Sequence, residues 1–515
     1  MNTRLLSREA ASTAQGRKDQ PARRPASWVW LGLGTVLLSL SGARTVVPIA
    51  AWMASVFLLR FARTQGARVA FPALAVAAYA ASLVALRGLF PLSQLLPFAL
   101  VGLGDLLPFA LDRLTAPRLR GLPRTLVFPL AATSLGFLAG AGQFGTFGAP
   151  AYTQVGDLPL SQLVAITGLW GVTFLIMWLA PVVNELWEQG FDLRAAATPV
   201  LAFTVTLMVV LVSGGAQLAF ASTSATVRVA GIAPDRALSS AYEDARILPA
   251  RRSDAERAVI RQRYMDPITD DLFARTAQAA DAGAKIVVWS EAAAFVFTQD
   301  EAALLARARG VAAAEDVYLQ IGIVSLLHRD EFPFVDIRAI LIDPGGAVVW
   351  DYPKATVPLN DGNEPGPGIV PLVDTPYGRL ATIICYDADF PGLVRQAGRA
   401  DADILLVPSS DWDAVADVHA RMVVPRAIEN GVAVVRPTRK GLSTAVDSHG
   451  RGLGHADYYA QDAVSMIVDV PTQGRATVYS RIGDAFAWLA IAGLLTLGLS
   501  ATVGSLRRRG DQRRA

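Results

Sequence analysis

Cysteine is almost missing from this chain. Cys385 is the only one in 515 residues, which excludes an intrachain disulfide and a thiolate zinc cluster. Histidine is scarce as well. His328, His419, His449 and His455 show no HExxH-type spacing, so the sequence predicts no metal and no cofactor. Charge is thin: charged residues make up 18% against 52% hydrophobic, where soluble domains carry about a quarter charged. The mean hydropathy of +0.37 is that of a membrane protein. Lysine is rarest among the charges, with only Lys18, Lys285, Lys354 and Lys440 among 47 basic residues.

The formal net charge of +3 conceals a division. Residues 221–484 carry 26 basic and 35 acidic side chains, and the rest of the chain carries 21 basic and nine acidic. An acidic, water-facing segment is thus joined to basic flanks, a pattern that gives nucleic-acid binding no support.

What is abundant is apolar sequence. After a polar, Arg-rich arm at 1–26, read as a disordered cytoplasmic segment, come runs long enough for membrane spans of about 20 residues. Seven are expected across 27–220, near 27–42, 45–60, 69–86, 88–111, 125–141, 160–182 and 196–214, and an eighth lies at 485–505 before a basic tail at 506–515. Arg60, Arg63, Arg68, Arg113, Arg118, Arg120, Arg124 and Arg194 fall in alternate loops, and the loop at 142–159 has no Lys or Arg. The positive-inside rule then puts the N-terminus and the tail in the cytoplasm. An odd number of spans sends residues 221–484 to the periplasmic or extracellular side of a bacterial cytoplasmic membrane.

Within 221–484 short apolar runs alternate with amphipathic ones: VRVAGIAP, a helix over 254–282, AKIVVWSE, a helix over 301–315, VYLQIGIVSL, RAILIDPGG, AVVWDYPK, GRLATIICYD, a helix over 391–400, ADILLVPSSD, a helix over 415–430, then VAVVRPT and STAVDSHGR. Continuous buried strands between helices specify an α/β domain with two helix-covered faces.

Three reactive side chains end three of these strands: Glu291 after AKIVVWS, Lys354 after AVVWDYP and Cys385 after GRLATII. Taken singly, Cys385 reads as core filler and Glu291 as a solvated carboxylate. Lys354 is harder to set aside, because in a chain this rich in Arg a merely solvated cation would be Arg, and Lys offers a movable pKa. Strand ends open onto the ligand crevice of α/β sheets, so the three can converge there as nucleophile, base and oxyanion partner.

WSE, YPK and CYD, in that order, resemble the Glu-Lys-Cys triad of the nitrilase (carbon–nitrogen hydrolase) superfamily, and RMVVPRAIENG resembles its Arg-Ala-x-Glu-Asn segment. The whole chain, with spans before and after such a domain and with QLVAITGLWGVTFLIMW at 162–178, is similar to the apolipoprotein N-acyltransferases. The resemblance implies a multi-pass α-helical membrane domain with a nitrilase-like αββα sandwich. It implies Cys385 as the nucleophile that carries an acyl thioester, Glu291 as general base, and Lys354 with the Tyr386 N–H as oxyanion donors. It further implies a phospholipid acyl donor and, as acceptor, the N-terminal amine of a lipoprotein.

The chain departs from that family at several places. KATVPLNDGNEPGPG follows the triad lysine, and Cys385 comes only 31 positions after Lys354. Glu364, with Asp361 as rival, stands for the family's second glutamate. Asp387 replaces the usual Glu after CY, and SSDW replaces Asn-Asp-x-Trp. The short interval leaves two alternatives: a membrane-anchored amidase acting on another amide or nitrile, or a non-catalytic binding protein of the same fold.

Overall fold

The computed structural model describes residues 26–42, 44–89, 104–222, 224–245, 252–327, 331–358, 362–460 and 465–514. The basic arm, most of the expected span at 88–111, His328 and Asp361 lie outside them.

The N-terminal part is helical: α1 (Ala26–Ser39), α2 (Pro48–Thr64), α3 (Ala67–Ala85), α4 (Leu107–Thr115), α5 (Leu122–Gly140), α6 (Leu169–Glu188) and α7 (Ala197–Ala219). Four of these, α3, α5, α6 and α7, together with the apolar Ala485–Arg507 stretch near the C-terminus, are long and apolar enough to cross a membrane. The expected first two spans form shorter helices of 14 and 17 residues, separated by a linker in which Ser41 bridges Val46.

The sixth span differs from expectation. Instead of one helix from 160, two short turns, Leu158–Ser161 and Val164–Thr167, precede α6. Gly168 breaks the run at φ +63°, and a Cβ there would meet the Tyr479 ring at 2.6 Å, so only glycine fits. The first N–H of α6, from Leu169, then donates to the Glu429 carboxylate at 3.0 Å, filling a valence the helix leaves open.

α6 is the most buried of the spans and packs against α2 and α5 through side chains such as Leu175, Ile176 and Trp178. By contrast α7 turns Leu201, Val205, Met208, Val209 and Val212 outward, an apolar face that suits lipid and not water. At one end of the bundle the helices are clamped by charge. Arg63 forks onto Asp112 through two 2.9 Å bonds, and Arg124 meets Glu185 at 3.0 Å and Glu188 at 2.5 Å.

Residues 226–471 form two facing sheets. The first holds β1 (Thr226–Ile232), β2 (Ile286–Trp289), β3 (Ala294–Phe297), β4 (Tyr318–Leu326), β5 (Val335–Ile342) and β6 (Val348–Pro353). The second holds β7 (Leu372–Thr375), β8 (Gly378–Thr382), β9 (Ile404–Leu406), β11 (Ala433–Arg436), β13 (Leu442–Val446) and β14 (Gly452–Asp457). The short pair β10 (Ser409–Ser410) and β12 (Thr438–Arg439) runs parallel, and β15 (Ser465–Pro471) returns to pair antiparallel with β1.

Helices α8 (Asp266–Asp281) and α9 (Glu301–Ala314) belong to the first half of the sandwich, and α10 (Pro391–Arg399) and α11 (Ala416–Asn430) to the second. The final helix, α12 (Ala485–Arg514), leaves the sandwich and packs on α5. The inner faces are filled by Ile286, Val288, Ile321, Leu380, Ile404 and Val435, all at most 1% exposed. Burying each such side chain contributes about 1.5–3 kcal/mol.

Candidate active site

Three strand ends deliver the three reactive side chains to one place. β2 is IVVW, buried throughout; beyond it the Ser290 N–H bonds the Ile232 carbonyl at 2.8 Å, and Glu291 follows, 4% exposed. Beyond β6 the Lys354 backbone is pinned from both sides. Its N–H donates to Ile337 at 3.0 Å, and its carbonyl accepts from Gly366 at 2.8 Å. Lys354 is 3% exposed, and its Nζ donates to Glu291 Oε1 at 2.8 Å.

Cys385 comes from the opposite sheet, after β8 and the buried pair Ile383 and Ile384. Its φ of +46° is a left-handed conformation that a non-glycine residue adopts only when held. The hold comes from its N–H, bonded to the Pro408 carbonyl at 3.0 Å, and from the tight turn Cys385–Asp389 that it begins. Its Sγ faces the Ser410 carbonyl at 3.6 Å.

Burial pushes the Cys385 thiol well above the usual range. Glu291 and Asp411 push the same way, and Lys354 and Arg436 offset this only in part. The thiol is therefore neutral at physiological pH, and a base must take its proton as it attacks.

Asp387 joins the two sheets at this point. Fully buried, it accepts from the Thr356 N–H (2.8 Å) and Thr356 Oγ1 (2.6 Å) with one oxygen. The other oxygen accepts from Tyr352 (2.9 Å) and from the Ile384 N–H (3.0 Å). The strand exit carrying Lys354 is thereby tied to the turn carrying Cys385. The Tyr386 hydroxyl donates to the Gln143 carbonyl between α5 and α6. Glu364 is exposed, in contrast to the buried triad residues; its neighbour Asn363 is buried and accepts from the Ile337 N–H.

A second group, which the motif comparison did not single out for chemistry, flanks the thiol. Asp411 accepts from Arg436 at 2.8 and 2.9 Å and sits 2.8 Å from His419 Nδ1, whose Nε2 lies 3.9 Å from Asp389. Burial opposes charge on His419, but Asp411 and Asp389 outweigh it and hold the imidazole pKa above its usual value. The signal for this group was a charge ending an apolar strand, as in VAVVR and LLVPSSD. Ligand atoms of Cys385, Asp411 and His419 lie within 4.8 Å of one another. Asp411 is already engaged by a guanidinium and an imidazole, so the set works as a hydrogen-bonded charge cluster.

The turn after Cys385 also rests on the helical part. Thr146, between α5 and α6, donates from both N–H (3.0 Å) and Oγ1 (2.9 Å) to the Asp389 carbonyl. Gly145 lies so close that a Cβ would come within 2.5 Å of that same oxygen. Tyr152 bonds Thr146 at 2.7 Å and accepts from Arg426 at 2.8 Å, and Arg426 in turn pairs with Glu429 at 2.7 Å. Arg426 and Glu429 thus serve structure, joining α11 to the start of α6.

The model of the carbon-nitrogen hydrolase family matches residues 255–476. An apolipoprotein N-acyltransferase of Geobacter metallireducens is 29% identical over 403 residues, covering 73% of this chain and 73% of that protein. A deaminated glutathione amidase of Yersinia enterocolitica is 27% identical over 198 residues, 34% of this chain and 68% of the amidase. Among solved structures, an amidase from Nesterenkonia sp. is 21% identical with a TM-score of 0.39, covering 52% of this chain and 98% of its own. The first relative spans helices and sandwich together, whereas the Yersinia amidase matches about a third of the chain. Residues 255–476 thus form a carbon–nitrogen hydrolase domain, and the chain as a whole, with apolar helices long enough to cross a membrane, is similar to the apolipoprotein N-acyltransferases.

Proposed function

We propose that the protein is a membrane-bound N-acyltransferase that moves an acyl chain from a phospholipid to the N-terminal amine of a lipoprotein by way of a thioester on Cys385. The observation that carries this reading is the buried Lys354–Glu291 pair, 2.8 Å apart, beside a thiol that burial keeps protonated. In the first step the Cys385 sulfur attacks the ester carbonyl while Glu291 takes the thiol proton. Lys354 Nζ and the Tyr386 N–H steady the oxyanion. The C–O bond then breaks, and Glu291 returns the proton to the departing lysophospholipid alcohol. In the second step the acceptor amine attacks the thioester, loses a proton to Glu291, and an amide forms as the C–S bond breaks and the thiol is restored.

The domain division at 27–220, 221–484 and 485–505, with the sandwich on the outer side of the cytoplasmic membrane, belongs to this proposal. An acyl donor in a bilayer calls for a catalytic unit tethered at its surface, which the apolar helices on either side of the sandwich supply.

The arrival of Cys385 only 31 positions after Lys354 supports a second reading, a membrane-anchored amidase. The two part in one experiment. The detergent-solubilised chain is given a phospholipid with a peptide bearing an S-diacylglyceryl N-terminal cysteine, and separately a series of short amides. N-acylated peptide, absent with Glu291→Gln and with Lys354→Ala, is the expected product. Amide hydrolysis without peptide acylation would replace the acyltransferase reading with the amidase one.

A further inference from the structure

The stretch between α5 and α6, residues 141–157, lies close against the sandwich. Gly145 and Gly148 take left-handed φ values of +53° and +81°, which glycine adopts without strain. The path they set brings Thr146 and the Gln143 carbonyl against the turn Cys385–Asp389.

A line of four buried residues runs from α11 to that turn. Arg426 donates to the Tyr152 hydroxyl at 2.8 Å, and the Tyr152 and Thr146 hydroxyls lie 2.7 Å apart. The Thr146 hydroxyl donates to the Asp389 carbonyl at 2.9 Å. Each hydroxyl has one proton, so the directions are fixed. Thr146 gives its own to Asp389, and Tyr152 must donate to Thr146. All four residues are at most 7% exposed, where linked hydrogen bonds strengthen one another. Thr146 also donates its backbone N–H to the same carbonyl at 3.0 Å. Both lone pairs of the Asp389 oxygen are thereby taken by one residue of the helical part.

The turn needs such a hold. Cys385 at φ +46° is strained backbone, which persists only where its surroundings over-determine it. Pro408 fixes the start of the turn and Asp387 its middle. Thr146 fixes the far end. Tyr386, next to the nucleophile, is held through its hydroxyl by Gln143, three residues before Thr146. The helical part thus grips the turn on both sides of Asp387. The Tyr386 N–H, an oxyanion donor in the proposed reaction, belongs to a residue so held.

We propose that Thr146 is a positioning residue for acyl transfer: it locks the Cys385–Asp389 turn so that the Tyr386 N–H stays aimed at the oxyanion formed when Cys385 attacks. The helices then complete the active site as well as tether it. The inference rests on the Cys385 thioester of the acyltransferase reading but not on the identity of the acyl donor, so a short activated ester tests it separately. The full chain in detergent is mixed with p-nitrophenyl butyrate. A burst of p-nitrophenolate reports the attack, the acyl–sulfur bond forming as the phenolate leaves and the thiol proton passes to Glu291. Alkylation by iodoacetamide, which in this chain can reach only one cysteine, is followed in parallel; it passes through no oxyanion.

Thr146→Val keeps the shape and the backbone N–H but removes the hydroxyl. It is expected to slow the burst at saturating ester about tenfold, with the half-saturating concentration and the alkylation rate within about twofold of the parent. Thr146→Ser restores the hydroxyl and is expected within about threefold of the parent. Tyr152→Phe, which removes the donor to Thr146, is expected to slow the burst by about threefold and serves if the valine variant does not fold. An unchanged burst overturns the proposal. So does a parallel fall of burst and alkylation, which marks a loosened fold, or a serine variant as slow as the valine one. A parent chain without a burst removes the nucleophile and the proposal together. A burst in a chain that no phospholipid acylates overturns the acyltransferase reading alone.

Discussion

The Cys385 thiol is held neutral by burial and by the nearby carboxylates of Glu291 and Asp411, against the weaker pull of Lys354 and Arg436. Its reactivity in the free protein should therefore keep climbing with pH. Iodoacetamide labelling of Cys385 is expected to rise through pH 9 with no plateau at neutral pH, and a plateau below pH 8 would mean a resting thiolate.

Asp389, at the far end of the same turn, has its pKa raised to about 6, mainly by burial, against 3.8 for an ordinary Asp; His419, Arg426 and Arg436 offset only part of that. The folded protein thus holds this proton more tightly than the unfolded chain. The resulting stability is complete below pH about 4 and drains away as pH rises to about 6, a loss of about 3 kcal/mol. Asp389→Asn removes the group that must ionise. It should be the more stable variant at pH 8 by up to that amount and match the parent near pH 4, as thermal unfolding in detergent can show. Parallel pH profiles for the two proteins would contradict the assignment.

At the scale of elements, the site depends on how two sheets are fastened. Asp387 makes four hydrogen bonds that tie Tyr352 and Thr356, on either side of Lys354, to the Cys385 turn. Asp387→Asn cannot accept all four. It is expected to cost about 1–3 kcal/mol of stability and to slow acylation of Cys385 by about a hundredfold, since small displacements between reacting groups are expensive. A rate within twofold of the parent would mean that the sheets keep their register without it.

Helix α9 runs over Glu301–Ala314 where the pattern put 301–315, and α10 and α11 agree as closely, because apolar periodicity and flanking turns mark both ends. The strands β3, β7, β14 and β15 were not legible. In β15, SMIVDVP, apolar residues stand on both faces, so the two-residue alternation is blurred, and its pairing with β1 spans more than 230 residues. For the triad residues, order along the chain could be read but distance could not. The Asp411–His419–Arg436 cluster comes from three separate segments and exists only once they fold together. The break before α6 was hidden because the sequence from 160 to 182 carries no charge and is mostly apolar, and only the Tyr479 ring shows why Gly168 ends the preceding turn.

For the molecule as a whole, the proposed orientation follows from where the arginines fall, and it has a direct check. Alkaline phosphatase, active only outside the cytoplasm, is expected to be active when fused after residue 222 and inactive when fused after residue 514. The reverse pattern would place the sandwich in the cytoplasm and remove its access to an outer-leaflet donor.

The central claim is that Cys385 carries the acyl group. Intact-mass measurement of the full chain after incubation with a phospholipid of defined acyl chains tests it most directly. The account predicts an added mass equal to one acyl group, released by hydroxylamine and absent from Cys385→Ala. An unmodified chain that nonetheless acylates the acceptor peptide, or an adduct that persists in Cys385→Ala, would contradict it.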